Sequence, residues 1–428
     1  MADVAVIGAG YVGLTTAVCL AHLGHDVIGA RIVYRAPGAE IWQTTPLTFF
    51  DNDRWRGSFE LTELGCYTYS IEAYPDVYRS WAADTKKKAD AGWACITWPK
   101  EYGGRSATPI QNAIWNQEHA QFETPPDVFS IGIGMCGPTI LTHGTPEQKK
   151  RWIPKLVTGE EVWCQLFSEP SAGSDLAGLR TSAVKQGNEW VVNGQKIWTS
   201  GAQWCEWGIL VVRTDPTVAK HAGLTFFVVN MHAPGIEIRP ITQINRGQGF
   251  NEVFFTDVRI PDDQRIDAVG NGWAVSITTL MNERMSIGSG MGVGAIEELV
   301  PFAAGLELEG RPALEDRQVR ERIAEYVVKA RGLKYTSLRT LSALSQGKTP
   351  GPEASMSKLV GGVLQQQAAS FAMELAGASS ALLDDDATPA SAAWQERYLS
   401  LPGLRIAGGT DEVLRNIIAE RVLGLPPD

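Results

Sequence analysis

Leu166-Phe-Ser-Glu-Pro-Ser-Ala-Gly-Ser-Asp175 and Asn193-Gly-Gln-Lys-Ile-Trp-Thr-Ser-Gly201 are the two stretches on which the reading of this chain turns. In the first, small residues crowd around Gly173, so a backbone N–H can approach a ligand closely while the Ser168 and Ser174 hydroxyls bond to it. Between the two, Thr181 to Val192 alternates in polarity around Gly187-Asn188, which predicts a hairpin. Such a hairpin brings Ser168 and Trp198 to one end of a sheet. There Trp198 offers a flat face to an aromatic ring, and Thr199 and Ser200 offer hydroxyls at its edge.

The chain has 428 residues, room for two to four packed units at roughly 100 to 200 residues each. A net charge of -10 with no basic block argues against a nucleic-acid partner, because phosphate binding needs clustered Lys and Arg. Cys19, Cys66, Cys95, Cys136, Cys164 and Cys205 show no Cys-x-x-Cys, so neither a zinc site nor a disulfide framework is expected. A reducing cytoplasm fits. The apolar opening from Val4 to Leu23 lacks a basic start and is broken by Gly8, Gly10 and Gly13, so neither a signal peptide nor a membrane span is expected.

Residues 1–30 read as strand Val4–Ile7, glycine loop Gly8–Gly13, helix Leu14–Leu23 and strand Asp26–Ile28, a Rossmann-like fragment. This resembles the opening of nucleotide-sugar dehydrogenases such as UDP-glucose dehydrogenase. Ala30 and Arg31 stand where an acidic residue is needed for the ribose, and no further βαβ unit follows, so the motif is expected to be idle toward NAD. From residue 31 to about 82 short alternating runs (31–34, 47–50, 54–61, 67–73) predict a β-sandwich-like fragment. Asn52-Asp-Arg-Trp-Arg-Gly-Ser-Phe59 and Glu63-Leu-Gly65 resemble the N-terminal sandwich of glucan maltosyltransferases. Trp42 and Trp55 suit either packing or stacking on sugar. Neither fragment is expected to close its own core.

Residues 83–160 read as helical with loops. Pro109 to Phe122 has one apolar face, and Thr145-Pro-Glu-Gln148 carries the cap and proline of a helix start. Residues 161–265 are strand-rich (190–192, 207–213, 224–230, 254–258). Residues 266–428 hold long helical patterns, among them 317–344, 353–376 and 411–423.

Taken together, Ser168-Glu-Pro-Ser-Ala-Gly-Ser-Asp175, Asn193-Gly-Gln-Lys-Ile-Trp-Thr-Ser200, Trp98-Pro-Lys-Glu-Tyr-Gly-Gly104, Asn282-Glu-Arg284 and Ile406-Ala-Gly-Gly-Thr410 resemble, in order, the acyl-CoA dehydrogenase family over about residues 91–428. The expected fold class is α+β multidomain: a helical domain, a central β-domain and a C-terminal helical bundle, behind an atypical βα/β front. The resemblance implies FAD-dependent α,β-dehydrogenation of an acyl-CoA thioester, with hydride passing to flavin N5 and electrons to an electron-transfer flavoprotein. A homo- or hetero-oligomer, dimer or tetramer, is implied too. The alternative is a flavin-poor or inactive partner subunit of a mixed assembly.

Removing a weakly acidic α-proton needs a carboxylate base of raised pKa and donors to the enolate oxygen. Many family members carry the base just before the Gly-Thr of the C-terminal motif, where this chain has Gly408. A branch of the family uses a glutamate on the first C-terminal helix, and Glu283 matches that position. On a helical wheel Glu283 flanks a stripe of Trp273, Ile277, Leu280 and Ile287. The Gly408 N–H remains available to the thioester oxygen, and Arg284 with Ser174 is assigned to the substrate side. The resemblance gives the cofactor Phe167, Ser168, Gly173, Ser174, Trp198, Thr199, Ser200, Thr410 and Glu412. Two departures stand out: Leu308-Glu-Gly-Arg-Pro312 replaces the family's Arg-x-x-Phe-Gly run, and Glu374-Leu-Ala-Gly377 replaces its Gln-x-x-Gly-Gly loop.

Overall fold

The computed structural model describes residues 2–6, 10–17, 28–51, 54–63, 65–75, 86–119, 129–290, 294–347, 354–382 and 392–426. The chain divides into two units, Met1–Asp90 with Glu123–Pro126, and Ala91–Phe122 with Asp127–Asp428.

In the first unit six strands form one antiparallel sheet: β1 (Ala2–Val6), β2 (Gly10–Ala17), β3 (Ile28–Arg35), β4 (Gln43–Asp51), β5 (Arg54–Leu61) and β6 (Gly65–Pro75), in the order β1-β6-β3-β4-β5-β2. The period-two pattern puts Ala30, Ile32, Leu47, Phe59 and Tyr67 in a small core, with Tyr34 stacked on Phe59 at 3.9 Å. The Tyr67 hydroxyl satisfies the backbone N–H groups of Thr62 and Glu63. The fragments therefore close a core that neither was expected to have.

The Rossmann reading is overturned where it can be seen. Residues 14–17, expected to begin a helix, lie in β2, paired antiparallel with β5 from Gly10 opposite Leu61 to Ala17 opposite Arg54. Val4 lies in β1, antiparallel to β6, where a dinucleotide fold needs a parallel crossover. The open backbone edge of β5 offers a full ladder of hydrogen bonds, and the β-branched Val12, Thr15 and Thr16 suit a strand better than a helix. The rest of the glycine loop and residues 18–23 lie outside the described residues, as do Val77 and Trp81.

The second unit opens on α1 (Pro109–His119), then a π-helical turn (Gly132–Cys136) running into α2 (Gly137–His143), and α3 (Pro146–Thr158). Helix α3 starts in a capping box: Thr145 Oγ1 accepts from the Gln148 N–H and the Gln148 side chain from the Thr145 N–H. An eight-stranded sheet follows, built from β7 (Trp163–Leu166), β8 (Ser182–Gln186), β9 (Glu189–Ser200), β10 (Trp207–Arg213), β11 (Leu224–Asn230), β12 (Ile236–Ile241), β13 (Phe250–Pro261) and β14 (Arg265–Ile266). The β8–β9 hairpin turns on Gly187-Asn188, with Gly187 at φ 64°. Strands β10 and β11 are covered on both faces, so their runs are continuously apolar.

Helices α4 (Gly272–Gly290), α5 (Gly294–Ala304), α6 (Arg317–Ser345), α7 (Ala354–Ala376), α8 (Ala393–Leu404) and α9 (Asp411–Arg421) complete the unit. Their core includes Leu299, Tyr326, Leu364, Phe371 and Trp394. Leu308-Glu-Gly-Arg-Pro312 forms a two-stranded ribbon turning on Glu309-Gly310, both at positive φ. Glu374, at the position of the loop departure, pairs with Arg322 at 2.7 Å on the surface. Among the described residues no helix is long and apolar enough to cross a membrane.

Candidate active site

Strand β7 delivers the first loop to the sheet. The N–H of Ile197 donates to the Ser168 carbonyl at 2.9 Å, which registers Ser168 beside Trp198 as the hairpin predicted. Below them lies Lys196, fully buried, whose Nζ donates to the Phe167 carbonyl and to Glu169 Oε1 at 3.0 and 2.9 Å. Glu169 also accepts from the N–H groups of Arg180 and Thr181, so this charge pair fixes both ends of the loop. Phe167 is buried edge-on against Phe226, while Ser174 is exposed and a Cβ added at Gly173 would meet open space.

Trp198 sits at φ 60° where β9 and β13 shift register, and its indole is 56 % exposed, braced edge-on by Phe250 at 6.2 Å. Ser200 is half-buried beside it. Thr199 points the other way: its side chain is buried, Oγ1 has no partner, and its carbonyl accepts from Asn251 Nδ2. Gly194 must be glycine, since a Cβ there would lie 2.5 Å from Thr181 Oγ1.

Helix α4 carries the expected base. Its buried stripe is Val275, Ser276 and Thr279, whereas of the expected apolar stripe Ile277 is exposed and Trp273 and Leu280 are half-buried. The small hydroxyls are tolerated inside because Ser276 donates to the Gly272 carbonyl, and Thr279 to that of Val275 while bonding to Thr139. His143 pins the first turns, bridging Asp267 and Thr278. Four residues beyond Thr279, Glu283 lies on the same face, half-buried.

Glu283 Oε2 accepts from Gln165 Nε2 at 3.1 Å, which ties the base's helix to the strand that carries Phe167 and Ser168. Burial raises its pKa above the usual 4.5, opposed by the Gln165 amide, Arg284, the Gly408 N–H and Lys358. Gly408 and Gly409 form a turn at φ 66° and 102°, and buried Lys358 donates to the Gly409 carbonyl. Arg405 bonds to Asp411 at 2.7 Å and to Gln366, bracing the turn from behind. Burial lowers the pKa of Lys358 and of Arg284, and the charge of Arg421 lowers Arg284 further.

The turn thus joins Glu283 and Gly408. Thr410 Oγ1 accepts from the Val413 N–H and caps α9, whereas Glu412 is exposed, 4.0 Å from Arg415. Gln165, Lys358 and Arg405 were not singled out in the sequence. A polar residue inside the short apolar run Trp163-Cys-Gln-Leu166, and a lysine on the face of an otherwise apolar helix, were the available signals.

Residues 270–423 match the acyl-CoA dehydrogenase C-terminal domain, 164–258 the middle domain and 72–160 the N-terminal domain. The acyl-CoA dehydrogenase IpdE1 of Mycobacterium tuberculosis is 37% identical over 380 residues, covering 87% of this chain and 94% of that one. This chain belongs to the acyl-CoA dehydrogenase family. The acyl-CoA dehydrogenase FadE34 of the same organism is 38% identical over 365 residues, 85% of this chain but 48% of that protein, so the chain spans about half of it. Among solved structures of the acyl-CoA dehydrogenase fold, one titled Tcur3481-Tcur3483 steroid ACAD aligns with TM-score 0.72 at 28% identity, covering 81% of this chain and 89% of that one. The ChsE4-ChsE5 complex from Mycobacterium tuberculosis aligns at 0.70 and 29% identity, covering 83% and 94%. Residues 17–101 match domain N/S of alpha-1,4-glucan:maltose-1-phosphate maltosyltransferase, in keeping with the front's resemblance.

Proposed function

We propose that the chain is a cytoplasmic FAD-dependent acyl-CoA dehydrogenase in which Glu283 removes the α-proton of the thioester. The observation that carries this reading is the Glu283 carboxyl group, half-buried on α4, which accepts from Gln165 Nε2 at 3.1 Å and faces the Gly408 N–H.

The residues present fit a flavin. An exposed indole face at Trp198, free hydroxyls at Ser174 and Ser200, and open space over Gly173 leave room for a flat ring and its phosphates, with Phe167 and Ser168 at the ring's edge. When bound, FAD supplies the acceptor for the β-hydride.

The protein's own part is proton chemistry. A buried carboxylate is a stronger base than a solvated one, which suits a weakly acidic C–H. In the free protein the Gly408 N–H faces Glu283; with substrate bound it turns to the thioester oxygen and donates there as negative charge grows. Glycine adds no side chain at that point, so the carbonyl can approach the backbone. Arg284 keeps positive charge beside the base and the CoA-bearing end of the substrate. An electron-transfer flavoprotein is the proposed electron acceptor.

The partner-subunit alternative is weaker, because a subunit without chemistry has no need of a half-buried carboxyl group held by the Gln165 amide. Assembly with a second acyl-CoA dehydrogenase chain stays open to this enzyme, since one similar structure is titled a complex of two differently named chains. Its substrate panel should pair straight-chain acyl-CoA thioesters with ring-bearing ones, as another is titled a steroid ACAD.

Purified protein should show flavin absorbance that bleaches anaerobically on adding a suitable acyl-CoA. Flavin-free protein that also fails to take up added FAD would overturn the reading.

A further inference from the structure

We infer that Gln165 is the positioning residue of the base: its side-chain amide holds the Glu283 carboxyl group toward the Gly408-Gly409 turn and favours the ionised form. The inference rests on Glu283 as base, and three observations carry it.

First, Gln165 is fixed by its backbone. In β7 it pairs in parallel with Ile209 of β10, and its neighbours Trp163, Cys164 and Leu166 are all buried, so the strand cannot turn to release the amide. Second, the donor is neutral. Nε2 lies 3.1 Å from Glu283 Oε2, and a neutral donor stabilises the carboxylate without pairing it away as a cation would. Third, the strand that holds the base also supplies Phe167 and Ser168, two and three residues on. The hydrogen bond thereby ties the base on α4 to the strand that leads into the flavin loop, which suits proton and hydride removal from adjacent carbons of one substrate.

The charged and donor groups facing Glu283 are few. Arg284 is on its own helix, Lys358 comes from α7, and the Gly408 N–H comes from the turn before α9. Arg421 acts on Arg284, while Asp411 and Arg405 act on Lys358. Among the described residues, Gln165 is the side chain that reaches Glu283 from the β-sheet.

The test uses the full chain. Gln165→Met removes the donor at similar length, and Gln165→Glu keeps the shape but sets a second carboxyl group against the base. Infrared titration of the Glu283 carboxyl band, identified by its loss in Glu283→Gln, reads the base with no turnover required. Removing a donor to the ionised form raises a carboxyl pKa, so the midpoint should move to higher pH in Gln165→Met, while in Gln165→Glu the two carboxyl groups titrate as a pair whose upper midpoint lies above that of the parent. In holoenzyme, Gln165→Met should slow flavin reduction roughly tenfold at neutral pH. The loss should recover as pH rises, with acyl-CoA affinity unchanged.

A residue that merely packs would lower the melting temperature and leave the midpoint alone. Should Gln165→Met fail to fold, Gln165→Leu, which also removes the donor and adds no charge, carries the titration. An unmoved midpoint in the folded variant overturns the inference whatever the enzyme does. Parental flavin reduction in Glu283→Gln would instead sink the function reading, while the titration still reports on Gln165.

Discussion

Lys196 and Glu169 form an ion pair at 2.9 Å with both side chains buried beneath the loop that carries Phe167 and Ser168. Removing one partner of such a pair leaves an uncompensated charge, so Lys196→Met should cost about 3–5 kcal/mol in urea unfolding at neutral pH. The pH dependence has a definite sign. Burial alone would raise Glu169, but Lys196 and the Arg180 and Thr181 N–H groups hold it below 4.5. Its contribution in the parent is therefore present above 4.5 and lost as pH falls through the lowered value. In the variant the lone carboxyl group has a raised pKa and gains from acidification. The gap between the two proteins should narrow in acid, and a gap that widens would contradict this assignment.

Gly409→Ala tests the turn. The added methyl has room, about 3.5 Å from Leu414, but φ at 102° is strained for any L side chain. A loss of about 1–3 kcal/mol is expected in denaturant melts. Relaxation of the turn would also draw the Gly408 N–H off Glu283, so the carboxyl midpoint should rise. An unchanged midpoint with lowered stability would separate the turn from the base.

Trp198→Ala should leave stability nearly untouched, because the indole is largely open to solvent, yet lower the retained FAD. Loss of ring stacking is worth about 0.5–1.5 kcal/mol, a drop in FAD affinity of up to roughly tenfold. The FAD-to-protein ratio after gel filtration measures it. Full retention would remove Trp198 from the flavin site.

The features legible in the sequence are those decided locally. Gly187-Asn188 sets a turn that tolerates φ 64°, Thr145 and Gln148 cap one another, and the continuous apolar runs of β10 and β11 report burial on both faces. What failed depends on distant partners. Residues 10–17 read as loop and helix until β5, 37 to 51 positions later, offers its edge. The wheel for α4 misplaced the buried stripe because Ser276 and Thr279 satisfy their hydroxyls within the helix and against Thr139. Glu283 is proposed from family resemblance, but Gln165 lies 118 residues away and no local pattern links the two. Lys358 was missed for the same reason, its partner being a carbonyl 51 residues on.

The central claim is tested most directly by single-turnover reduction of bound flavin by an acyl-CoA in Glu283→Gln. The amide keeps size and hydrogen bonding but cannot accept the α-proton. FAD content and acyl-CoA affinity should match the parent while flavin reduction falls roughly 10²-fold or more. Reduction at the parent rate with unchanged FAD content would contradict the account and leave Glu283 as an ordinary helix residue.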